Sequence, residues 1–348
     1  MKRVLLAVSL CAVLIIGTAS CGKVQMEQIQ NIDTVMGTIV SQSVYATEES
    51  TVCTDINKHL QELEQQVLSW RVTTSQVGEI NASAGSMEGI TLSSEMAEIL
   101  NTCNKVAIDS DGAFDITIGQ VARMWDIDTW ASHYNMVNEY EEGYVLPERT
   151  QIQETLAKTG YEKLILDKEK LILPDDMQLD LGAVGKGIAL DHIHDYLQQC
   201  PEVSGAVISV GGSVLTYGTK SEGTESNPWK VGIVNPQNTK ENIGYLMLQG
   251  QWCVSTSGDY ERYVEVDGRR YHHIIDPSTG WPAESGVSSV TILTKNGLES
   301  DALSTACFIL GVDKGMELVE KYDAEVLFVD VNGEITMSDG MEQYFHLY

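Results

Sequence analysis

Positive charge is scarce in this chain. Its 348 residues hold 22 Lys and Arg against 50 Asp and Glu, a formal net charge of −28. No cluster of Lys and Arg occurs, which excludes a nucleic-acid binder, since such a protein neutralises phosphates with grouped cations. The same shortage excludes a polybasic grip on anionic lipid headgroups. Proline is sparse at 7, and with 30 Gly and 43% hydrophobic residues this excludes a collagen-like, low-complexity or disordered chain. The seven cysteines form no Cys-x-x-Cys pair, so neither a zinc site nor a thioredoxin-type motif is supported. No repeat of fixed period appears, no linker divides the chain, and past residue 17 no apolar run is long enough to span a bilayer. Any anionic ligand must therefore be held locally, by backbone amides, one or two lysines, or a divalent cation.

What is present begins with Lys2 and Arg3, followed by the apolar run Val4–Gly17, which has the dimensions of a signal-peptide core. Thr18-Ala19-Ser20 leads into Cys21 and resembles a bacterial lipoprotein cleavage site, although Thr18 stands where leucine is usual. The expected organisation is a signal peptide over 1–20, a lipidated Cys21 with a short polar tether over 21–30, and one domain over 31–348. That places the protein at the cell membrane, lipid-anchored and facing the extracytoplasmic side. A plain secretory signal is the alternative. Five further cysteines lie mostly in apolar stretches that suit buried thiols, and one disulfide stays open.

Residues 31–46 carry β-branched residues with partial alternation and predict a strand pair or one long strand. Val52, Ile56, Leu60, Leu63 and Val67 give helical spacing over 48–67, and a second helix is expected over 92–109, capped near Ser93 and ended by Asp111-Gly112. Residues 126–149 are aromatic and acidic without periodicity, an excursion from the scaffold. A helix near 150–158 leads to a hairpin over 163–181. Strands are expected over 205–219, 229–235, 245–255, 262–276 and 287–294, helices near 184–199, 300–310 and 313–322, and a final hairpin over 325–337. This mixture favours an α+β fold, with mixed or antiparallel sheets and inserted helices, over a doubly wound sheet.

Five segments could carry chemistry. Asp180–Gly187 joins a strand to a helix with three glycines, so backbone amides can approach an anion, and Lys186 adds a point charge. It lacks the spacing and hydroxyl of a Walker loop, and such a turn alone is more often structural. Gly112–Asp115 offers a carboxylate and an apolar wall at a helix stop. Ser255–Tyr260 ends a strand with small hydroxyls that suit a phosphate contact or a plain turn. Tyr271–Gly280 carries His272 and His273, which alternate in direction on a strand, so one of them is structural. Glu299–Ala306 opens a helix with Asp301 and Thr305 four apart, on one face. Together they can give oxygen ligands to Mg²⁺, whereas the plainer reading has Asp301 capping the helix start.

The order of these elements, from Met36-Gly37-Thr38 through Ser69-Trp70 and Asn81, Gly112–Asp115, Asp180–Gly187, Gly211-Gly212, Ser255–Tyr260 and His273–Pro282 to Asp301–Thr305, is similar to that of the ApbE-type FAD:protein FMN transferases, bacterial flavin-transfer lipoproteins. The resemblance covers roughly residues 30–345. It implies a single α+β domain related to the T-fold, FAD as substrate in a deep cleft, and Mg²⁺ at the pyrophosphate. The activity it implies is transfer of FMN from FAD to a Ser or Thr hydroxyl of a target flavoprotein, such as a redox-pump or extracytoplasmic electron-transfer subunit, with release of AMP. Carried over by position, Met36, Trp70, Ala113, Phe114, Asp115, Asp180, Lys186 and Ile275 are FAD contacts. Asp301 and Thr305 would hold the metal through side chains, Ala183 and Ser304 through carbonyls, with His273 near the acceptor hydroxyl and Asp301 also catalytic. Trp70 stands where the family has a smaller aromatic, and Asp301–Cys307 echoes the family's acceptor motif but ends in Cys307 instead of threonine. An FAD pyrophosphatase and a non-catalytic FAD-binding lipoprotein are the alternatives.

Overall fold

A computed structural model describes residues 26–131, 144–220 and 227–348. The signal peptide, Cys21 and the first part of the tether lie outside the described residues, as do residues 132–143 of the excursion. The main sheet has eight strands: β1 (Met26–Val35), β2 (Thr38–Thr47), β3 (Val203–Val210), β4 (Ser213–Gly218), β5 (Trp252–Gly258), β6 (Val287–Thr294), β7 (Ala324–Asp330) and β8 (Ile335–Met337). Each pairs antiparallel with the next in chain order, so the sheet is a meander into whose connections everything else is inserted.

The insertion between β2 and β3 supplies helices α1 (Val52–Leu63), α2 (Gln76–Ala82), α3 (Ser94–Asp109), α4 (Gly119–Trp125), α5 (Arg149–Leu156) and α6 (Gly185–Leu197). Between β6 and β7 come α7 (Gly297–Leu310) and α8 (Val312–Val319). Helices cover one face of the sheet. The other is covered by a three-stranded antiparallel sheet of Trp229–Asn235, Asn238–Leu248 and Phe345–Leu347. Strand periodicity sorts the core between these layers: Ile292, Val326 and Phe328 join the helical side, while Leu293, Leu327 and Val329 meet Trp229 and Leu246. Every residue of β6 is buried because both its faces are covered, including the hydroxyl residues Ser288, Ser289, Thr291 and Thr294. A third apolar cluster, built on Trp125, Ile152, Tyr271 and Ile275, joins α4 and α5 to the hairpin Tyr263–Val266/Arg269–His272.

Several expectations need correction. The first strand begins at Met26, so the stretch expected as tether is already paired in the sheet from there. The run 205–219 is two strands, turned at Gly211 and Gly212, both with positive φ. A side chain at Gly211 would also strike Thr38 Oγ1 at 2.4 Å. The run 245–255 divides at the turn before Trp252, and 262–276 is a hairpin followed by the short pairing of Ile275–Asp276 with Trp281–Pro282. The hairpin expected over 163–181 shrinks to Ile165–Asp167 and Lys170–Ile172. The five cysteines at 53, 103, 200, 253 and 307 are all buried and free. Among the described residues no helix is long and apolar enough to cross a membrane.

Candidate active site

Three features meet at one end of the sheet: the β1–β2 turn at Met36-Gly37, the β3–β4 turn at Gly211-Gly212, and the end of β5 at Ser257. With the start of α6, one face of α7 and the underside of the third apolar cluster they enclose a cavity of about 1070 Å³. Met36, Trp70, Ala113, Phe114, Asp115, Asp180, Ala183, Lys186, His273, Ile275, Asp301, Ser304 and Thr305 all line it. Residues spread over 270 positions of sequence thus converge, although they come from four separate connections of the main sheet. A cavity of this size lies at the upper end of small-molecule sites and suits a dinucleotide.

Trp70 reaches the cavity because α1 loosens into a π-turn, Glu64–Leu68, before the chain leaves the helix at Ser69. Asn81 acts from behind the wall. Its amide donates to Leu179 O and accepts from Leu179 N, at 3.0 and 2.7 Å, clamping the backbone just before Asp180. Asp180 accepts from Gly182 N at 2.8 Å, and burial raises its pKa against the pull of that amide and of Arg123. Asp115 is largely committed to the scaffold, since its two oxygens accept from Thr117 N and Tyr161 N at 2.8 and 2.9 Å.

Asp301 decides how the two central helices meet. It does not cap its own helix: the start of α7 is held by Asn296, which accepts from Glu299 N, and by Asp191, which accepts from Gly297 N and Leu298 N. Instead Asp301 accepts from Gly187 N at 2.5 Å, in the first turn of α6, and from Ser213 Oγ at 2.9 Å. No side chain of its own caps α6. The amides of Gly185 and Lys186 at its start therefore border the cavity as donors, an arrangement that favours an anion. Glycine is needed at 187 because α6 and α7 touch there: a Cβ at Gly187 would lie 2.1 Å from Gly297 O, and one at Gly297 2.2 Å from Gly187 O.

The serines of β5 fasten α7 rather than forming a phosphate turn. Ser255 Oγ pairs with Ser300 Oγ at 2.7 Å and Ser257 Oγ with Ser304 Oγ at 2.8 Å. Two residues of strand and four of helix each advance roughly 6 Å, so the rungs match. Ser304 Oγ also donates to Asp301 O, which leaves its carbonyl, not its hydroxyl, as a possible ligand. Among the described residues no group of three or more His, Cys, Asp or Glu could hold a metal. The donors on hand are one carboxylate, the Thr305 hydroxyl and backbone carbonyls including that of exposed Ala183, an all-oxygen set that fits a hard cation sharing its shell with a ligand phosphate. Cys307 is fully buried in α7, so the motif-like segment Asp301–Cys307 is not presented to solvent as an acceptor.

The two adjacent histidines separate as the alternation required. His272 is structural: its Nε2 bonds Ala283 O at 3.0 Å, its Nδ1 accepts from Ile274 N, and burial lowers its pKa to about 4. His273 lines the cavity, and its Nδ1 lies 3.2 Å from Arg262 O. A carbonyl only accepts, so Nδ1 carries the proton and Nε2 keeps a lone pair. Burial, reinforced by Arg262, His272 and Lys186, holds this ring well below the ordinary imidazole range, hence neutral at pH 7.

Sequence reasoning missed the other charged residues of the wall. Arg71 and Arg123 stack on Trp70, 4.3 and 3.9 Å from the ring centroid. Arg262 pairs with Asp128 at 2.8 Å, and Glu261 lies 4.0 Å from Lys186. Arg71, Arg123 and Asp128 carried no motif, while Glu261 and Arg262 directly follow the Ser255–Tyr260 segment and no role was assigned to them. In all, seven acidic and four basic side chains line the cavity, so the wall is itself net negative.

A family model for the ApbE family matches residues 36–328. The chain is 33% identical to an FAD:protein FMN transferase of Klebsiella pneumoniae (strain 342), over 79% of this chain and 81% of that protein. It is 29% identical to one of Treponema pallidum (strain Nichols), over 93% of this chain and 91% of the relative. Among solved structures, the ApbE protein of Thermotoga maritima superposes with a TM-score of 0.76 at 29% identity, covering 91% of this chain and 99% of that one. The flavinyl transferase ApbE of Pseudomonas stutzeri, in its apo form, gives 0.74 at 27% identity, covering 92% and 97%. The α+β single-domain architecture is shared with both, and with a family model spanning most of its length this chain belongs to the ApbE family.

Proposed function

We propose that this protein is an FAD:protein FMN transferase that uses Mg²⁺ to pass FMN from FAD to a Ser or Thr hydroxyl of a target flavoprotein, releasing AMP. One observation supports the metal most directly. The cavity wall is net negative, with seven acidic against four basic side chains, yet it must accept a pyrophosphate. Helix-start amides and Lys186 alone do not offset that repulsion, and Asp301, Thr305 and the carbonyls of Ala183 and Ser304 are the oxygen donors for a cation. Bound there, Mg²⁺ would neutralise charge on the pyrophosphate and on the departing AMP phosphate.

The chain's own residues do the rest. The amides of Gly185 and Lys186 and the Lys186 ammonium orient the phosphates, while Phe114, Ile275 and Trp70 supply apolar wall for the rings. The acceptor hydroxyl attacks the phosphorus of the FMN half, its proton passing to His273 Nε2. A P–O bond to the new ester forms as the bridging P–O bond breaks, and AMP leaves with the electron pair. The fixed tautomer set by Arg262 O presents the lone pair that this step needs.

The full chain incubated with FAD, Mg²⁺ and an acceptor protein should release AMP and leave fluorescent flavin on the denatured acceptor, and EDTA should suppress both. AMP with free FMN and no labelled acceptor would replace this reading by an FAD pyrophosphatase, and retained FAD without AMP by a flavin-binding protein. His273→Ala should lower the rate about 10²–10⁴-fold while FAD binding persists. Unchanged turnover would leave His273 structural. The pH profile separates the cases further. A base with an ordinary imidazole pKa loses activity as pH falls through about 6.5. Burial holds the His273 ring neutral below that range, so its acid limb should lie at lower pH than that of an ordinary imidazole.

We further propose that Cys21 is lipidated and holds the domain at the extracytoplasmic face of the cell membrane, on the strength of the run Val4–Cys21. Cys21→Ala should move the protein from the membrane to the soluble fraction; continued membrane recovery would remove the anchor from this account.

A further inference from the structure

Arg123 is a half-buried cation whose hydrogen bonds are unfinished. Its Nε and Nη2 are buried without any hydrogen-bond partner, while its guanidinium lies 3.9 Å over Trp70 in the cavity wall. Arg71 sits 4.3 Å from the same ring, so two like charges crowd one indole. Burial, and to a lesser degree Arg71, depresses the pKa of Arg123, with Asp180 opposing. Asp180 spends its Oδ1 on Gly182 N. Almost every other buried polar side-chain atom among the described residues has a partner, the amide oxygen of Gln42 being the exception. Native proteins seldom leave such donors unpaired unless a ligand completes them.

The indole beneath Arg123 is also the surface on which a flavin or adenine ring would stack. A guanidinium 3.9 Å above it occupies that space. A ring entering from that side displaces it, and the freed side chain, carrying two adjacent unpaired N–H groups, meets an anionic ligand inside the same cavity. The Nε–Nη2 edge of arginine matches two oxygens of a phosphate in a fork that lysine cannot reproduce.

We propose that Arg123 is a substrate-binding and specificity-determining residue, which leaves its stack on Trp70 when the dinucleotide enters and pairs its Nε–Nη2 edge with a ligand phosphate. The inference rests on the proposed function for the identity of the dinucleotide, not for the chemistry of the fork, which any diphosphate satisfies.

The test is calorimetric binding of FAD, riboflavin and inorganic pyrophosphate to the full chain, as wild type, Arg123→Met and Arg123→Lys. Arg123→Met should weaken FAD and pyrophosphate by about tenfold or more and leave riboflavin, which has no phosphate, unchanged or tighter. Arg123→Lys should fall between, keeping charge but not the fork. Thermal melting guards against misfolding: removing a half-buried cation with unpaired donors should not lower the melting temperature, whereas removing a merely structural arginine would. An equal loss for FAD and riboflavin, or no loss for either phosphate ligand, overturns the proposal. A wild type that binds pyrophosphate but not FAD sinks the flavin-transfer reading while Arg123 is still judged on pyrophosphate. A wild type that binds neither sinks both.

Discussion

Replacing Asp301 with alanine should reduce flavin transfer at least about a hundredfold and destabilise the fold as well, because this carboxylate has two jobs. The first is to supply the only carboxylate of the all-oxygen set on α7. The second is to join α6 to α7 and β4, accepting from Gly187 N and Ser213 Oγ while only 3% exposed. Alanine leaves both donors buried and unpaired, at about 1–3 kcal/mol each. Asparagine separates the jobs. It retains an acceptor for one donor but turns an NH₂ toward the other, so it should recover part of the stability and little of the activity. The measurements are initial rates of AMP release across a Mg²⁺ titration and urea denaturation of each variant. Normal turnover in either variant would remove Asp301 from the catalytic account.

The second large effect is expected from one methyl group. Gly187→Ala places a Cβ 2.1 Å from Gly297 O, a backbone atom at the start of α7 in a residue whose N–H donates to Asp191. Neither helix can give without moving the other, so the substitution should cost about 3 kcal/mol or more. It should also lower activity, since the Gly187 amide that orients Asp301 shifts with it. Gly185, two residues earlier in the same motif, is the internal control. A Cβ there finds only Leu68 Cδ1 at 3.8 Å, an ordinary contact. Gly185→Ala should be tolerated or stabilise the protein by about 0.4–1 kcal/mol, through the smaller entropy of its unfolded chain. Denaturation midpoints of the two variants decide the matter, and equal effects would mean that the helix contact is not what requires glycine at 187.

These two cases show how differently the residues of one motif are used, and where local pattern stops being informative. Helices α1 and α3 were legible from their apolar spacing and the Ser93 cap, and β6 from its β-branched residues Val287, Val290, Thr291, Ile292 and Thr294. The hydrophobic period is a local property, and it survives folding because each element buries the stripe it already has. Strand boundaries were less legible where a glycine pair turns the chain, as at Gly211-Gly212, because the flanking residues are equally β-prone on both sides. The order of short motifs identified the family, and every expected FAD or metal residue borders this cavity.

Local pattern was therefore enough for most of the longer elements and for grouping the motif residues, but not for the short helices α2 and α4. Tertiary structure alone decided what each motif residue touches. That Asp301 caps a neighbouring helix rather than its own, that Asn81 and the serines of β5 are fasteners, and that His272 is structural while His273 faces the cavity all depend on partners far away in sequence. The same holds for Arg123, which lies in no motif and whose orphaned donors exist only once α4 is packed against Trp70. A hydrogen bond is fixed by distances of a few ångströms between groups, and no local period of a sequence encodes those distances between residues a hundred positions apart.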